Sequence, residues 1–284
     1  MSETIRITVL VENSVHRQSL VAEHGLSFYI QCGERSLLFD TGQTDLAVIN
    51  AETLRLPLDR VEAIVLSHGH YDHTGGVPAM LEVVPQARVY LHPAAFEKKF
   101  SQNANGQSRE IGMSDCVAQA ISHRPVGFIE TTGRTEIVEG VFATGEIPRA
   151  TTYEDTGGAF FLDAEGTRPD PLVDDQALVI DLGRSVILLL GCAHSGVVNA
   201  LDHVRHLTGG KPVSAVIGGL HLGSASEERI QQTIARLRDA QLEILVPVHC
   251  TGWPATAKLW PAFPDIFRPA GVGTVFEFKR DCGG

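Results

Sequence analysis

Apolar residues occupy every odd position through residues 5–11, and this period of two predicts a β-strand. Residues 26–40 are apolar on both sides of Gly33 and predict two further strands that meet at that glycine. Elsewhere apolar residues recur at helical spacing, which predicts helices over residues 45–56, 196–208 and 226–239. Ser224 stands three residues before Glu227, a capping-box spacing that predicts the start of the last helix.

Two more strands are predicted at residues 172–181 and 184–190, with a hairpin turn at residues 182–183. The stretches 101–125 and 145–171 are polar and rich in turn-forming residues. Long loops in a compact domain are usually functional, so we expect both stretches to be binding loops or lids.

Four short apolar runs share one feature, because each ends in histidine. They are residues 61–70 with His68 and His70, residues 185–194 with His194, residues 213–221 with His221, and residues 243–249 with His249. The runs are rich in β-branched residues and are predicted to be buried strands. Sites in layered α/β folds lie beyond the carboxyl ends of strands. Four histidines at equivalent strand ends therefore predict one shared site.

Composition narrows the class of protein. The chain has 284 residues, of which 43% are apolar, and we expect one domain over residues 1–284. The net charge of −11 argues against a nucleic-acid partner, because phosphate binding requires clustered cations. We expect no membrane partner and a cytoplasmic location, since no apolar run could span a bilayer and residues 1–14 lack a leader pattern. The five cysteines are scattered, which favours reduced thiols.

Residues 68–73 read HGHYDH and concentrate metal-binding side chains in a short turn. His68 and His70 lie two residues apart, so in extended backbone they point the same way and can hold one metal ion. Asp72 and His73 follow as the chain turns into a helix, where they can reach a second ion. Imidazole and carboxylate donors suit catalytic zinc, with manganese or iron as alternatives. We therefore expect two divalent metal ions that hold a hydroxide nucleophile.

The HGHYDH segment resembles the HxHxDH signature of the metallo-β-lactamase superfamily, and LLFDTG at residues 37–42 resembles the strand motif that precedes it. The resemblance implies an α/β fold: an αβ/βα sandwich of two mixed sheets flanked by helices, with a dinuclear site at one edge. It also implies that Asp40 supports the metal ligands through hydrogen bonds.

A narrower resemblance extends over about residues 5–280. The segments that carry it are TGEIPR, GCAHSGVVNAL, VIGGLHL and HCTG together with HGHYDH. In combination they resemble the branch named for 7,8-dihydropterin-6-yl-methyl-4-(β-D-ribofuranosyl)aminobenzene-5′-phosphate synthase. The branch name is a weak guide to the substrate, because one fold and site serve many reactions.

The common hydrolases of that superfamily carry a third histidine in an HTPGH-like segment and a bridging aspartate, and neither segment occurs here. Glu146 of TGEIPR stands near the first position and is a candidate for metal binding and catalysis. Cys192 of GCAH stands near the second, with His194 two residues later. We expect His194 to be a metal ligand, whereas Cys192 is either an additional ligand or a buried thiol without a chemical role.

The remaining candidates are assigned singly. His249 is expected to complete the second metal position, and Cys250 beside it is expected to point to the opposite face. His221 is a ligand, a general acid or a substrate contact. His24 either reaches the mouth of the site or is a solvated turn residue. Arg149 either binds an anionic group of the substrate or forms a surface ion pair.

These features predict a metal-dependent hydrolase that acts on a small, phosphate-bearing molecule through a metal-bound hydroxide, with Asp72 and His221 in catalysis. The alternative is the transferase that the branch name implies, which would condense a pterin methyl pyrophosphate with a ribofuranosylaminobenzene phosphate. A flavodiiron-type redox protein is disfavoured by His70, where that class carries glutamate. The acidic charge disfavours a nuclease. The sequence leaves the oligomeric state open.

Overall fold

The computed structural model describes residues 2–281, so Cys282 lies outside the described residues. Its α-helices are α1 (Leu46–Thr53), α2 (Tyr71–Thr74), α3 (Val77–Val83), α4 (Asp115–Ser122), α5 (Val197–Leu207), α6 (Glu227–Asp239) and α7 (Trp253–Ala262). Short 3₁₀ turns occur at Leu58–Arg60, Pro93–Phe96 and His249–Thr251. Among the described residues, no helix is long and apolar enough to cross a bilayer.

The first large sheet has seven strands in the order β16-β1-β2-β3-β4-β5-β8. They are β1 (Ser2–Val11), β2 (Ser27–Cys32), β3 (Arg35–Phe39), β4 (Val61–Val65), β5 (Arg88–Leu91), β8 (Phe128–Glu130) and β16 (Val275–Asp281). Strands β3, β4, β5 and β8 run parallel, and the other neighbours are antiparallel. This sheet is therefore mixed, with its parallel strands on one side.

The second large sheet has six strands in the order β15-β14-β13-β12-β10-β9. They are β9 (Thr135–Val138), β10 (Val141–Ala143), β12 (Ala177–Asp181), β13 (Val186–Leu190), β14 (Val213–Gly219) and β15 (Ile244–Val248). Strands β13, β14 and β15 run parallel, and the remaining pairs are antiparallel. A small third sheet joins β6 (Phe100–Gln102), β7 (Ser108–Glu110) and β11 (Phe160–Phe161).

Three clusters of buried side chains divide the protein into layers. The central cluster packs the two large sheets face to face, with Phe28 and Val65 on one side and Ile187 and Ile217 on the other. A second cluster packs α5, α6 and α7 against the outer face of the second sheet. A third packs α1, α3 and α4 against the outer face of the first. The predicted αβ/βα sandwich of two mixed sheets flanked by helices is confirmed.

Most of the predicted elements form, with three corrections, of which the first is that the strand predicted from residue 172 begins only at Ala177. The last long helix is capped by Ser226, whose hydroxyl accepts from the Arg229 N–H at 3.1 Å, whereas Ser224 donates to the Gly157 carbonyl. The stretch 101–125 is not a simple loop, because it contains β7 and α4. Ser114 caps α4 and Val117 anchors it in the core, an amphipathic signal that the polar composition concealed.

Candidate metal centre

The four histidine-bearing runs are strands β4, β13, β14 and β15, and their carboxyl ends meet at one edge of the two large sheets. The chain turns sharply beyond several of these strands. Left-handed backbone occurs at Asp40 (φ +62°), Ala193 (+54°), His221 (+45°) and His249 (+53°). Such conformations are costly for residues with a Cβ and tend to occur at functional sites. Here they direct the side chains beyond the strands toward one another.

The first group of rings surrounds His68. Its Nε2 lies 2.9 Å from His70 Nδ1, and its ring centroid is 4.9 Å from that of His194. The His70 and His194 centroids are also 4.9 Å apart. Phe160 of β11 packs against this group, with its ring centroid 5.2 Å from His194. Residues 145–171 therefore cover this side of the site, as expected for a binding loop.

The second group surrounds the Asp72 carboxylate on α2. Its Oδ2 lies 3.1 Å from His24 Nε2, 3.3 Å from His249 Nε2 and 3.9 Å from His73 Nε2. The sequence left open whether His24 reaches the mouth of the site or is a solvated turn residue. In the structure its ring reaches the cluster while remaining half exposed. The structure places Asp72, His73 and His249 together, the set expected to hold the second ion.

Cys192 lies between the two groups. Its Sγ is 3.2 Å from His73 Nε2, on the side of the second group. Ligand atoms of Cys192, His68 and His194 lie within 4.8 Å of one another, and the same holds for Cys192, His73 and His249. The cysteine that stands where related hydrolases carry a bridging aspartate therefore has the geometry of a shared ligand.

Asp40 holds two of the histidine rings in place. Its Oδ2 accepts from His73 Nδ1 at 2.7 Å and from the Ser67 hydroxyl at 2.7 Å, while its Oδ1 accepts from the Ser67 N–H. The Ser67 hydroxyl in turn lies 2.8 Å from His68 Nδ1. A bound Nδ1 leaves Nε2 of each ring facing the centre, which is how carboxylates orient metal-ligating histidines.

Several ring nitrogens that face the centre lack a hydrogen-bond partner in the described part of the chain, which also fits metal binding. Buried ring nitrogens of the cluster without a hydrogen-bond partner among residues 2–281 are His70 Nε2, His194 Nε2 and His221 Nδ1, while His249 Nε2 has only the Asp72 carboxylate beside it; His203 Nε2 on α5, outside the cluster, is also unpartnered. Buried polar atoms are nearly always paired, and leaving one unpaired is costly. Two of these rings are fixed by their other nitrogen, since His194 Nδ1 donates to the Thr156 carbonyl and His249 Nδ1 to Asn13 Oδ1. Convergent, unpartnered imidazole nitrogens are the donors that a divalent cation requires.

Burial sets the charge of these groups. Desolvation lowers the pKa of His70 to about 3 and holds the pKa values of His68 and His194 well below the usual value. These rings are therefore neutral at physiological pH and keep a lone pair for a metal. Although burial works against ionisation, neighbouring His73 holds the pKa of Asp72 well below its ordinary range. Asp72 is therefore held as a carboxylate anion.

Residues 174–176 link the site loops of both sheets. Asp174 Oδ2 accepts from the Gly69 N–H at 2.7 Å, between the first two histidines, and Asp175 Oδ2 accepts from the Ser195 N–H at 2.8 Å. Gln176 donates to the Leu66 and Ser67 carbonyls. Asp174 is itself paired with Lys99, at 2.9 Å, a lysine whose side chain is only 1% exposed. One short segment thereby fixes the metal-binding loops relative to each other.

We expect Gly69→Ala to lower the free energy of unfolding by about 1–3 kcal/mol, the usual cost of forcing extra volume into a packed site. A Cβ at Gly69 would lie 2.3 Å from the Ala95 carbonyl oxygen, which belongs to rigid backbone. Urea titration measures the change. Gly133→Ala is the matched control, because a Cβ there meets nothing within 4 Å. Equal stability of the two variants would show that the backbone around Gly69 can shift to accommodate the added methyl group at little cost.

We expect Asp40→Asn to weaken metal binding about 10- to 100-fold, the typical loss when a partner of a ligating histidine is changed. The amide offers one acceptor oxygen where the carboxylate offers two, so the bonds from His73 Nδ1, the Ser67 hydroxyl and the Ser67 N–H cannot all be kept. Competition with a chromophoric chelator measures the affinity. Asp181→Asn, which affects a carboxylate paired with Lys211 outside the site, should leave the affinity unchanged. Wild-type affinity in Asp40→Asn would refute this orienting role.

Glu146 lies apart from the cluster, whereas Arg149 lies at its rim. Glu146 is exposed beyond β10 and shares none of the contacts described for the cluster, so the structure does not support a metal or catalytic role for it. The strand β10 ends early and turns this side chain to solvent. Arg149 donates to the His194 carbonyl and lines a cavity of about 620 Å³ together with Asp155, Thr156 and Phe160. Arg149 remains exposed, and partial desolvation lowers the pKa of its guanidinium.

Sequence reasoning missed Glu12 and Asn13, which follow β1. Glu12 is buried and its Oε1 accepts from the His249 N–H at 2.9 Å, while Asn13 fixes the His249 ring. The sequence did contain a signal for them, because two polar residues follow the alternating strand directly. Since β1 ends at the same edge as the histidine-bearing strands, such residues are expected to face the site.

Comparisons with known proteins agree with this geometry. A model of the metallo-beta-lactamase superfamily matches residues 21–249. An uncharacterized protein of Methanocaldococcus jannaschii is 30% identical over 257 residues, which cover 89% of this chain and 93% of that protein. The 7,8-dihydropterin-6-methyl-4-(beta-D-ribofuranosyl)-aminobenzene-5′-phosphate synthase of the same organism is 27% identical over 97% of each chain. The crystal structure of Tm1679, described as a metal-dependent hydrolase of the beta-lactamase superfamily, is 28% identical with a TM-score of 0.81 over 96% of this chain and 99% of that one.

Proposed function

The chain belongs to the metallo-beta-lactamase superfamily, and from that premise we propose that it is a metal-dependent hydrolase of a small, phosphate-bearing molecule. The observation that carries the proposal is the pair of ligand groups at one sheet edge, with buried imidazole nitrogens that have no other partner among the described residues. Such donors are expensive to bury unless an ion binds them.

The first ion would be held by His68, His70 and His194, and the second by Asp72, His73 and His249, with Cys192 between them. Zinc fits this donor set, with manganese or iron as alternatives. When bound, two such ions supply an activated water and neutralise developing negative charge on the substrate.

The chain's own residues would orient the substrate. Phe160 closes one side of the His70 and His194 rings and excludes water from them. Arg149, at the wall of the adjacent cavity, is the cation available to an anionic substituent of the substrate. His221 lies beside His194, with ring centroids 4.2 Å apart, and its Nδ1 has no hydrogen-bond partner among the described residues, so this ring faces the same centre.

A second candidate is the condensation of a pterin methyl pyrophosphate with a ribofuranosylaminobenzene phosphate. It is favoured by the resemblance to the archaeal synthase, which extends over 97% of both chains. The same residues would serve this reaction, because pyrophosphate leaving from carbon also places negative charge on clustered oxygens.

Product analysis with metal-loaded protein separates the two. The substrates are phosphomonoesters, phosphodiesters and a pyrophosphate-activated pterin supplied with the arylamine phosphate, while β-lactams and lactones form a second panel. We expect turnover in the first panel, with orthophosphate or an alcohol as the sign of hydrolysis and a joined pterin–aryl product with pyrophosphate as the sign of condensation. Turnover confined to the second panel would refute the phosphate preference.

A further inference from the structure

Cys250 points into the centre, contrary to the expectation that it would face away. Residues 249–251 form a 3₁₀ turn that begins with left-handed backbone at His249, which rotates the following side chain inward. The Cys250 Sγ lies 3.6 Å from the Cys192 carbonyl oxygen. The two sulfurs and a ring nitrogen of His221 all lie within 4.8 Å of one another.

The surrounding backbone makes room for this arrangement. A Cβ at Gly219 would lie 2.5 Å from the Cys250 Sγ, so the sulfur occupies space that only a glycine leaves free. His221 adopts left-handed backbone, and its buried Nδ1 has no hydrogen-bond partner in the part of the chain that the structure describes. Three soft or borderline donors thus converge without another function that would explain them.

Charge balance favours metal-bound sulfur at this position. Two divalent ions would bring four positive charges into a buried site, where the Asp72 carboxylate lies 3.3 Å from His249 Nε2 and 3.9 Å from His73 Nε2. Asp40 adds a negative charge behind the rings. Cys192, which stands near the position expected for a bridging aspartate, and Cys250 can supply further negative charge as thiolates.

We propose that Cys192, Cys250 and His221 bind a metal ion through two thiolates and one imidazole, so that the centre contains sulfur ligands in addition to histidine and aspartate. This inference rests on the metal dependence proposed above. Binding releases one proton from each thiol and changes no oxidation state. Thiolate donors favour zinc or another soft or borderline cation over manganese or magnesium. The two sulfur ligands would therefore make the centre bind zinc-like cations more tightly than manganese or magnesium.

Cobalt(II) provides the test, because Co–thiolate bonds give an intense charge-transfer absorption that His and Asp ligands do not. We expect the cobalt-loaded protein to show this band, and Cys250→Ser to lower its intensity by about half, since one of two thiolates is lost. Cys116→Ser, which removes an exposed thiol on α4, should leave the band unchanged. Thermal unfolding of each variant shows that the protein is folded.

Thiol alkylation gives an independent readout on the unmodified chain. We expect iodoacetamide to label Cys250 after chelation but not in the zinc-loaded protein, while Cys116 is labelled in both. Cobalt binding without the charge-transfer band, or an unchanged band in Cys250→Ser, would overturn the sulfur assignment and leave the proposed function standing. A Cys192–Cys250 disulfide in protein purified under reducing conditions would also overturn it. Failure to bind cobalt at all would instead refute the metal dependence itself.

Discussion

Asp72→Ala is expected to abolish turnover while leaving the fold intact. The Asp72 carboxylate lies within 3.3 Å of ring nitrogens of His24 and His249, and it is the anionic donor of the second group. Changes to the outer partners of metal ligands typically cost 10- to 100-fold, so removing a ligand should cost more than about 100-fold in kcat/KM. The bound metal should fall by one equivalent. Metal analysis and steady-state kinetics measure both effects.

The fold should survive because the Asp72 side chain contributes little to the core. Its backbone carbonyl, which accepts from the Leu26 N–H at 3.2 Å, remains in the variant. Asp45→Ala is a suitable control, since this exposed aspartate makes no side-chain cap to α1. Full turnover by Asp72→Ala on any substrate of the wild type would place the active site elsewhere.

Lys99→Met is expected to produce the largest loss of stability. The Lys99 ammonium is buried and contacts Asp170 at 3.0 Å and Asp174 at 2.9 Å. Removing one partner of a buried ion pair leaves uncompensated charge and typically costs about 3–5 kcal/mol. Because Asp174 also holds the Gly69 N–H, the variant should bind metal less tightly as well.

The neighbouring residue provides the control for that variant. Lys98 pairs with Glu110 and Asp115, but all three side chains are well exposed, so Lys98→Met should change the urea midpoint little. If the two variants have equal urea midpoints, the buried ion pairs of Lys99 with Asp170 and Asp174 do not stabilise the protein. If only the metal affinity of Lys99→Met changes, these ion pairs orient the site without stabilising the fold.

The edge on which the site forms was predictable from the sequence. Parallel strands bring the residues at their carboxyl ends to one edge of their sheet, as they do for His194 and His249, and the HGHYDH motif placed His68 at the corresponding edge of the other sheet. The β-branched composition of the strands and the period of the flanking helices carried the same information for the layered fold. Both signals are local in the chain, which is why they can be interpreted without coordinates.

The errors concern contacts that no local pattern encodes. Cys250 was assigned to the wrong face because alternation along a strand does not reveal a left-handed turn at His249. Glu146 was assigned by its place in a motif, but the chain exposes it after β10. Residues 174–176 were assigned to a strand because their partners, the N–H groups of Gly69 and Ser195, leave no mark on the local pattern.

A crystal structure of the zinc-loaded protein, with anomalous differences recorded on both sides of the zinc edge, tests the central claim most directly. The account predicts separate anomalous peaks at the strand-end cluster for an ion bound by His68, His70 and His194 and an ion bound by Asp72, His73 and His249, apart from zinc bound by Cys192, Cys250 and His221. A single peak, or zinc bound away from these side chains while their ring nitrogens pair with one another, would contradict it.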